Sequence, residues 1–379
     1  MINALSSVLC RDMASKDFPL RPLLDHQNAA IAWLKAAHDS TADGGVGYGY
    51  YLRGQPFSAY GFGWRPSYVE TSGYIIETFY DIAEAYNDAD SAIRAEQIGR
   101  WLLTMQNIDG AFSNMSLSDA DGIVFDTGQV LFGLLRCYLE TNDPVFQSAA
   151  GKSAYWLERN LGEDGAWRAN THLGNVHTYN TRTAWAMLEY CKIFLDVKIS
   201  DAARRNLHWA LTQQTETGLF DNCSFKKDCA PDTHTIAYAI RGLFEGGVLL
   251  DDERMHAAAH KAALKMSEYV APNGFIPGRV STSGKPDNSY SCLTGNCQLA
   301  ITWFKMSQHF DDPALFKVAE ATIDFVLKTQ NIETKNGNVC GGVKGSHPVW
   351  GRYSPLAYPN WATKFLIDAI LVKQSIVRS

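Results

Sequence analysis

The 379-residue chain is long enough for two or three ordinary domains. Apolar residues make up 46% and charged residues 20%, which excludes a disordered chain. With 34 basic and 40 acidic side chains the net charge is −6, and nothing in that balance offers a footprint for nucleic acid or an anionic membrane. Aromatic residues are numerous, 10 Trp, 17 Tyr and 18 Phe, which implies a large core or an aromatic-lined cavity.

Residues 1–20 read as an extension. Arg11, Asp12, Lys16 and Asp17 interrupt any apolar run, so no signal peptide is expected and the location predicted is cytoplasmic. No apolar stretch reaches the ~18 residues a transmembrane helix needs. The eight cysteines, Cys10, Cys137, Cys191, Cys223, Cys229, Cys292, Cys297 and Cys340, are dispersed and several fall in apolar helical patterns, which predicts reduced thiols.

From about Pro22 to His38 a first helix is predicted, and after it the chain repeats itself. A turn of small polar residue, Gly, any residue, apolar residue recurs. It reads Asp43-Gly44-Gly45-Val46, Asp109-Gly110-Ala111-Phe112, Asp164-Gly165-Ala166-Trp167, Thr217-Gly218-Leu219-Phe220, Asn273-Gly274-Phe275-Ile276 and, less cleanly, Asn336-Gly337-Asn338-Val339. A second pattern marks helix starts: Thr71-Ser72-Gly73-Tyr74, Asp126-Thr127-Gly128-Gln129, Asn180-Thr181-Arg182-Thr183, Asp232-Thr233-His234-Thr235, Leu293-Thr294-Gly295-Asn296 and Tyr358-Pro359-Asn360-Trp361. The Thr, Ser and Asn residues there read as N-caps.

Each start opens a helix that is apolar on more than one face, as Val130, Leu131, Leu134, Leu135 and Tyr138 illustrate after Thr127. The helix that follows is amphipathic, as in Ala95 to Gln106 and Asp311 to Gln330. Short links such as Asn142-Asp143-Pro144 and Asp311-Asp312-Pro313 make each pair antiparallel. The first helix behaves as an outer one and the last, about Asn360 to Val377, as an inner one. The two complete a pair if the array closes. The prediction is an all-α ring of six inner and six outer helices spanning 1–379 as one domain, against an open solenoid, which would need polar end caps.

These features resemble the (α/α)6 toroid of terpene cyclases, protein prenyltransferase β subunits, and many polysaccharide lyases, hydrolases and uronate epimerases. Gln106-Asn107-Ile108-Asp109-Gly110-Ala111-Phe112 and Glu163-Asp164-Gly165-Ala166-Trp167 resemble the Gln/Trp turn repeats of the terpene-cyclase superfamily. Ser291-Cys292-Leu293-Thr294-Gly295-Asn296-Cys297-Gln298-Leu299-Ala300 and Tyr358-Pro359-Asn360-Trp361-Ala362-Thr363-Lys364-Phe365 resemble a bacterial polysaccharide-biosynthesis family of the VpsJ type. That resemblance implies exopolysaccharide or capsule metabolism as a setting.

Long loops precede the inner helices, so a toroid would carry its mouth at their N-termini, where the helix dipoles suit an anionic ligand. Loop one holds Tyr48, Tyr50, Tyr51, Arg53, Tyr60, Trp64, Arg65, Tyr68 and Glu70. Loop three holds Trp167, Arg168, His172, His177, Tyr179 and Asn180. The last holds Lys344, His347, Trp350, Arg352, Tyr353 and Tyr358. Aromatics stack on sugar faces, while Arg and His bind carboxylates or move protons. Arg53, Trp64, Tyr68, Trp167, His172, Asn180, His347, Trp350, Arg352 and Tyr353, with Asn296, Asn360 and Trp361 of the C-terminal runs, are the candidate saccharide-binding residues.

The candidate catalytic carboxylates are Glu70, Asp126 and Asp232, with Glu77 deeper in the first inner helix. Such pairs suit glycoside hydrolysis. His177, Tyr179 and Arg182, joined by His234, would instead suit β-elimination or epimerisation, with Arg182 neutralising a uronate carboxylate. The reading is a carbohydrate-active enzyme, hydrolase or lyase, acting on an acidic polysaccharide or saccharide precursor. The alternatives are a uronate epimerase, a non-catalytic glycan-binding or assembly protein, and an isoprenoid-binding protein. Asp88-Ala89-Asp90 and Asp119-Ala120-Asp121 lack the last Asp of the cyclase protonation motif. Cys292, Cys297, Cys340 and His347 match no standard zinc spacing. No phosphate loop or dinucleotide fingerprint occurs, and neither a metal nor a cofactor is expected.

Overall fold

The computed structural model describes residues 2–53, 61–113 and 122–378. After an N-terminal helix α1 (Ile2–Met13), twelve helices alternate between two layers. The outer ones are α2 (Leu23–Asp39), α4 (Ala89–Met105), α6 (Pro144–Arg159), α8 (Val197–Thr212), α10 (Glu253–Ser267) and α12 (Pro313–Thr329). The inner ones are α3 (Val69–Tyr86), α5 (Val124–Thr141), α7 (Thr181–Phe194), α9 (Thr233–Leu250), α11 (Leu293–His309) and α13 (Asn360–Arg378). Each inner helix packs on the next, and α13 packs on both α3 and α2, so the ring closes. This is the predicted (α/α)6 toroid. The N-terminal extension, for which the sequence analysis named no element, carries α1.

The outer helices α4, α6, α8, α10 and α12 start at Asp88, Asp143, Asp196, Asp252 and Asp312, each accepting a first-turn backbone N–H. The inner helices receive no cap hydrogen bond from the predicted residues, although Asn180 and Asp232 hold the cap positions of α7 and α9. They start at Tyr68, Ile123, Asn180, Asp232 and Cys292 with no side-chain cap. Of the Ser and Thr residues read as caps, Ser72 and Thr127 lie inside the first turn and reach back to the preceding Gly turn, as Thr363 does in the last helix. Ser72 Oγ accepts from Val46 N, Thr127 Oγ1 from Phe112 N and Thr363 Oγ1 from Val343 N, each at 3.0 Å. Glycines on the inner helices allow close approach. A Cβ on Gly73 would sit 2.5 Å from Val130 Cα, and one on Gly242 would sit 2.4 Å from the Thr181 carbonyl carbon.

The turn glycines stack against the next outer helix in left-handed conformation. At the sixth turn Gly341, not Gly337, does this, with φ +82 and Ala29 O 2.0 Å from a would-be Cβ. The matching run is thus Gly341-Gly342-Val343, like Gly44-Gly45-Val46. The same role recurs for glutamines at three turns: Gln106, Gln214 and Gln330 donate to the carbonyls of Gly110 (3.2 Å), Gly218 (2.9 Å) and Gly341 (2.6 Å). Gln330 also donates to His26 O and pairs with His26 Nδ1 at 2.7 Å, which joins α12 to α2.

Among the described residues, seven short strands decorate the mouth. β1 (Gly49–Tyr51) lies between β2 (Gly63–Trp64) and β7 (Ala357–Pro359), pairing Tyr50 with Trp64 and with Tyr358. β3 (Arg279–Val280) pairs with β4 (Pro286–Asp287), and β5 (Ser291–Cys292) with β6 (Ser346–His347). Helix α1 docks on this side through Asp12, which is buried. Its carboxylate accepts from Lys344 Nζ at 2.7 and 2.8 Å and from Val349 N at 2.7 Å. Removing one partner of a buried pair strands the other charge. Asp12→Ala is therefore expected to lower unfolding free energy by about 3–5 kcal/mol in urea titrations, and Asp12→Ala with Lys344→Met to recover much of that loss.

Candidate active site

The inner-helix N-termini surround a cavity of about 340 Å³. Its wall takes Glu70, Thr71 and Tyr74 from α3, Phe125 and Asp126 from α5, and Tyr179 from the turn before α7. His234 and Tyr238 come from α9, and Tyr353 and Trp361 from the last loop and α13. Tyr48 and Tyr68 close the loop-one side, and His172, Leu173, Phe225 and Lys226 form the rim. The rings touch edge to face around the wall, Tyr48 on Tyr68 and Trp361 at 4.8 and 4.7 Å, and Phe125 on Tyr179 at 5.2 Å.

Two carboxyls share this space. The Tyr68 hydroxyl donates to Glu70 Oε2 at 3.1 Å, and burial pushes the Glu70 carboxyl up to about 7. Asp126 is pushed well above the carboxylate range, first by burial and then by the neighbouring charge of Glu70. Its Oδ2 has no hydrogen-bond partner among the described residues. Both carboxyls are therefore biased toward their protonated forms, and the two titrate as a pair.

His234 Nδ1–H donates to Gln298 Oε1 at 2.8 Å, and burial lowers its titration to about 3, so it is a neutral imidazole. Lys226 is the one lysine or arginine in the wall. Leu173 at the rim has left-handed backbone (φ +54) and is exposed. For a leucine this conformation is strained, which is common where a loop is shaped for a ligand.

Of the sequence candidates, Glu70, Asp126, Tyr179 and His234 meet in the cavity, as do Tyr68, His172, Tyr353 and Trp361. The others are used elsewhere. His177 is buried with both ring nitrogens facing backbone carbonyls, Ser224 O at 3.1 Å and His172 O at 2.8 Å, and its ring stacks on Tyr179. Asp232 pairs with Arg279 Nε at 2.8 Å and accepts from the Tyr290 hydroxyl at 3.1 Å. Arg182 lies beneath the cavity and outside its wall, so it does not meet a substrate carboxylate there.

Trp167 is buried and donates to Leu157 O at 3.0 Å, Asn296 donates to Ser291 Oγ at 3.0 Å, and Asn360 donates to Gly47 O and Thr71 Oγ1, both at 2.9 Å. Asn180 is buried outside the wall. Trp64 donates to Asn338 Oδ1 at 2.9 Å, and His347 sits 3.0 Å from Lys344 Nζ. Arg53, Trp350 and Arg352 are exposed and away from the cavity. Tyr60 and Asp119-Ala120-Asp121 lie outside the described residues. Asp88 caps α4. All eight cysteines are unpaired, and no cluster of three or more His, Cys, Asp or Glu occurs among the described residues.

Sequence reasoning missed Phe125, Tyr238, Phe225 and Lys226. The first two follow the helix-start pattern, one residue before Asp126 and one turn after His234, and that offset could have found them. The last two sit in a loop whose Lys226-Lys227-Asp228 reads as solvated charge.

No protein-family model and no curated protein matches this sequence. Solved structures match in fold. An unsaturated glucuronyl hydrolase from Bacillus sp. GL1 has 13% identity and a TM-score of 0.73, with 92% of this chain and 96% of that one covered. A cellobiose 2-epimerase from Bacillus thermoamylovorans has 12% identity and a TM-score of 0.68 over 98% and 99% of the two chains. A polysaccharide lyase has 10% identity and a TM-score of 0.66 over 94% and 98%. At these identities the likeness establishes the fold, an α/α toroid shared with carbohydrate-active enzymes.

Proposed function

We propose that this chain is a carbohydrate-active enzyme that hydrolyses an acidic saccharide, with Glu70 and Asp126 as its general base and general acid. The observation that carries this reading is the pair itself: two carboxyls at the starts of adjacent inner helices, facing one aromatic cavity and titrating above the ordinary carboxylate range. Asp126 gives its proton to the glycosidic oxygen as the C–O bond breaks. Glu70 takes a proton from the water whose oxygen joins the sugar carbon, and solvent exchange returns the proton to Asp126. The tyrosines and Trp361 stack on sugar faces, and Lys226 meets a carboxylate at the rim.

The fold neighbours support this class, since they include unsaturated glucuronyl hydrolases, a polysaccharide lyase and a cellobiose 2-epimerase. The VpsJ-type resemblance of the C-terminal runs adds bacterial exopolysaccharide or capsule metabolism as the setting. A second reading, elimination or epimerisation, rests on His234. Its Nδ1–H is fixed by Gln298, which leaves neutral Nε2 as a base.

Incubation with uronate-terminated oligosaccharides, followed by mass spectrometry, separates these readings. Hydrolysis adds one water, elimination creates a double bond without water, and epimerisation leaves the mass unchanged. The expected product carries the added water, and Glu70→Gln and Asp126→Asn should each lower kcat by ~10²–10⁴-fold. Saccharide binding with no product at any pH would overturn the enzymatic reading. Lys226→Ala should raise KM by about 10-fold for acidic substrates and leave kcat near its original value.

Burial of the pair also has a sign in stability. Both carboxyls are pushed up in the folded state, which therefore holds more protons than the unfolded chain. Stability should fall as pH rises from about 4, the unfolded carboxyl range, through the neutral region. Asp126→Asn escapes this cost. By calorimetry its Tm should exceed that of the unmodified protein by about 2–4 °C at pH 8, and the difference should vanish at about pH 4.

A further inference from the structure

Asp12 is the buried charge of α1, and the groups its carboxylate bonds to belong to the last loop, 344–356. It accepts from Lys344 Nζ at 2.7 and 2.8 Å and from Val349 N at 2.7 Å, and the side chains of Asp12 and Lys344 are each 3% exposed. Lys344 Nζ also faces His347 Nδ1 at 3.0 Å, and Asp12 is its one anionic partner among the described residues. An ammonium this dry is stable only while its carboxylate stays, and a buried backbone N–H such as that of Val349 needs an acceptor.

The same loop supplies Tyr353 to the cavity wall. Two hydrogen bonds fold Tyr353 and its neighbours onto the anchored segment. Ser346 Oγ donates to Tyr353 O at 2.6 Å, and Leu356 N donates to Val349 O at 2.7 Å. Val349 thus donates to α1 through its amide and accepts from the far limb of the loop through its carbonyl. The two limbs lie so close that a Cβ on Gly351 would sit 2.6 Å from Ser346 Cβ, and one on Gly345 2.5 Å from Ser354 Cβ, so they move together. At the cavity the Tyr353 hydroxyl accepts from Trp361 Nε1 at 2.8 Å, and the Tyr353 ring lies 5.1 Å from that of His234. Trp361 in turn meets Tyr48 edge to face at 4.7 Å. An unbroken line of contacts therefore runs from Asp12 to the aromatic wall.

We infer that Asp12 is a positioning residue: it holds the loop that sets Tyr353 and Trp361 against the saccharide, so the N-terminal helix completes the binding wall without touching the ligand. The role in saccharide binding rests on the proposed function, whereas the seating of Tyr353 does not. Without Asp12 the Lys344 ammonium is stranded and the Val349 N–H loses its acceptor. The loop relieves both by moving toward water, and Tyr353 goes with it. Glu70 and Asp126 stand on α3 and α5 and make no hydrogen bond to this loop among the described residues, so the loss falls on binding rather than on chemistry.

The indole N–H of Trp361, followed by ¹⁵N NMR and assigned by its loss in Trp361→Phe, reads the bond to Tyr353 without any substrate. In Asp12→Ala this resonance should shift or broaden, and KM for a uronate-terminated oligosaccharide should rise ~10-fold with kcat within ~2-fold. Asp12→Asn keeps an acceptor for Val349 N and takes the place of the alanine variant if that one does not fold; it should show the same changes at smaller size. Adding Lys344→Met to Asp12→Ala removes the stranded charge, and should return the resonance and KM toward their original values. An indole resonance that stays put overturns the inference, as does a loss of kcat at unchanged KM. A moved resonance with KM unchanged overturns the role in binding. A moved resonance with no turnover of any saccharide by the unmodified protein keeps the seating of Tyr353 and sinks the proposed reaction.

Discussion

Everything in this toroid depends on how closely the inner helices approach one another. At Gly73, Gly128, Gly242 and Gly295 a side chain would collide with a neighbouring inner helix, so those crossings are closed by the absence of one. Six inner helices packed that tightly leave no open channel. The axis is filled by large side chains, Arg182, Tyr74 and Phe365 among them, all fully buried. Space remains at the N-terminal end, where the helices stop and the loops begin. The cavity is therefore lined by first-turn residues of several inner helices, which makes their identity decisive for function.

The same crossings explain how the loops are held. First-turn hydroxyls at Ser72, Thr127 and Thr363 accept from the backbone of the preceding Gly turn, and turn glutamines tie that turn to the next outer helix. The turns before α5 and α13, which carry both contacts, are thus fastened at both layers before their long loops cross the mouth. The loops can then vary in sequence and length while the carboxyls stay where the helices put them.

The repeat, the two layers and the closure were legible because they rest on local signals: turn glycines, apolar faces and short links. The sixth turn was misread at Gly337 because Asn336-Gly337 has turn chemistry of its own, whereas Gly341 is marked by its contact with Ala29, distant in sequence. Site residues were legible by loop but not by side chain. A polar residue at a helix start can face the cavity, as Asp126 does, or be satisfied by a neighbour, as Asp232 is by Arg279. The choice is made by contacts across tens of residues. Helix α1 was missed for a related reason. Asp12 interrupts an apolar run in sequence, and its use becomes visible once Lys344 and Val349 are brought to it.

Two opposing effects set the chemistry of the cavity, and their sizes decide between them. The N-termini of α3 and α5 favour negative charge, by about 0.3–1 kcal/mol in exposed settings and ~2 kcal/mol in partly buried ones. Removing a carboxylate from water costs several kcal/mol even after relaxation. Desolvation therefore wins at Asp126, whose titration is raised although it lies in the first turn of a helix. At Glu70 the balance is closer, because the Tyr68 hydroxyl donates to the carboxylate and the charge of Arg182 favours its anion. A ring of equivalent helix starts thus yields two inequivalent acids, and the inequivalence comes from what packs under each one.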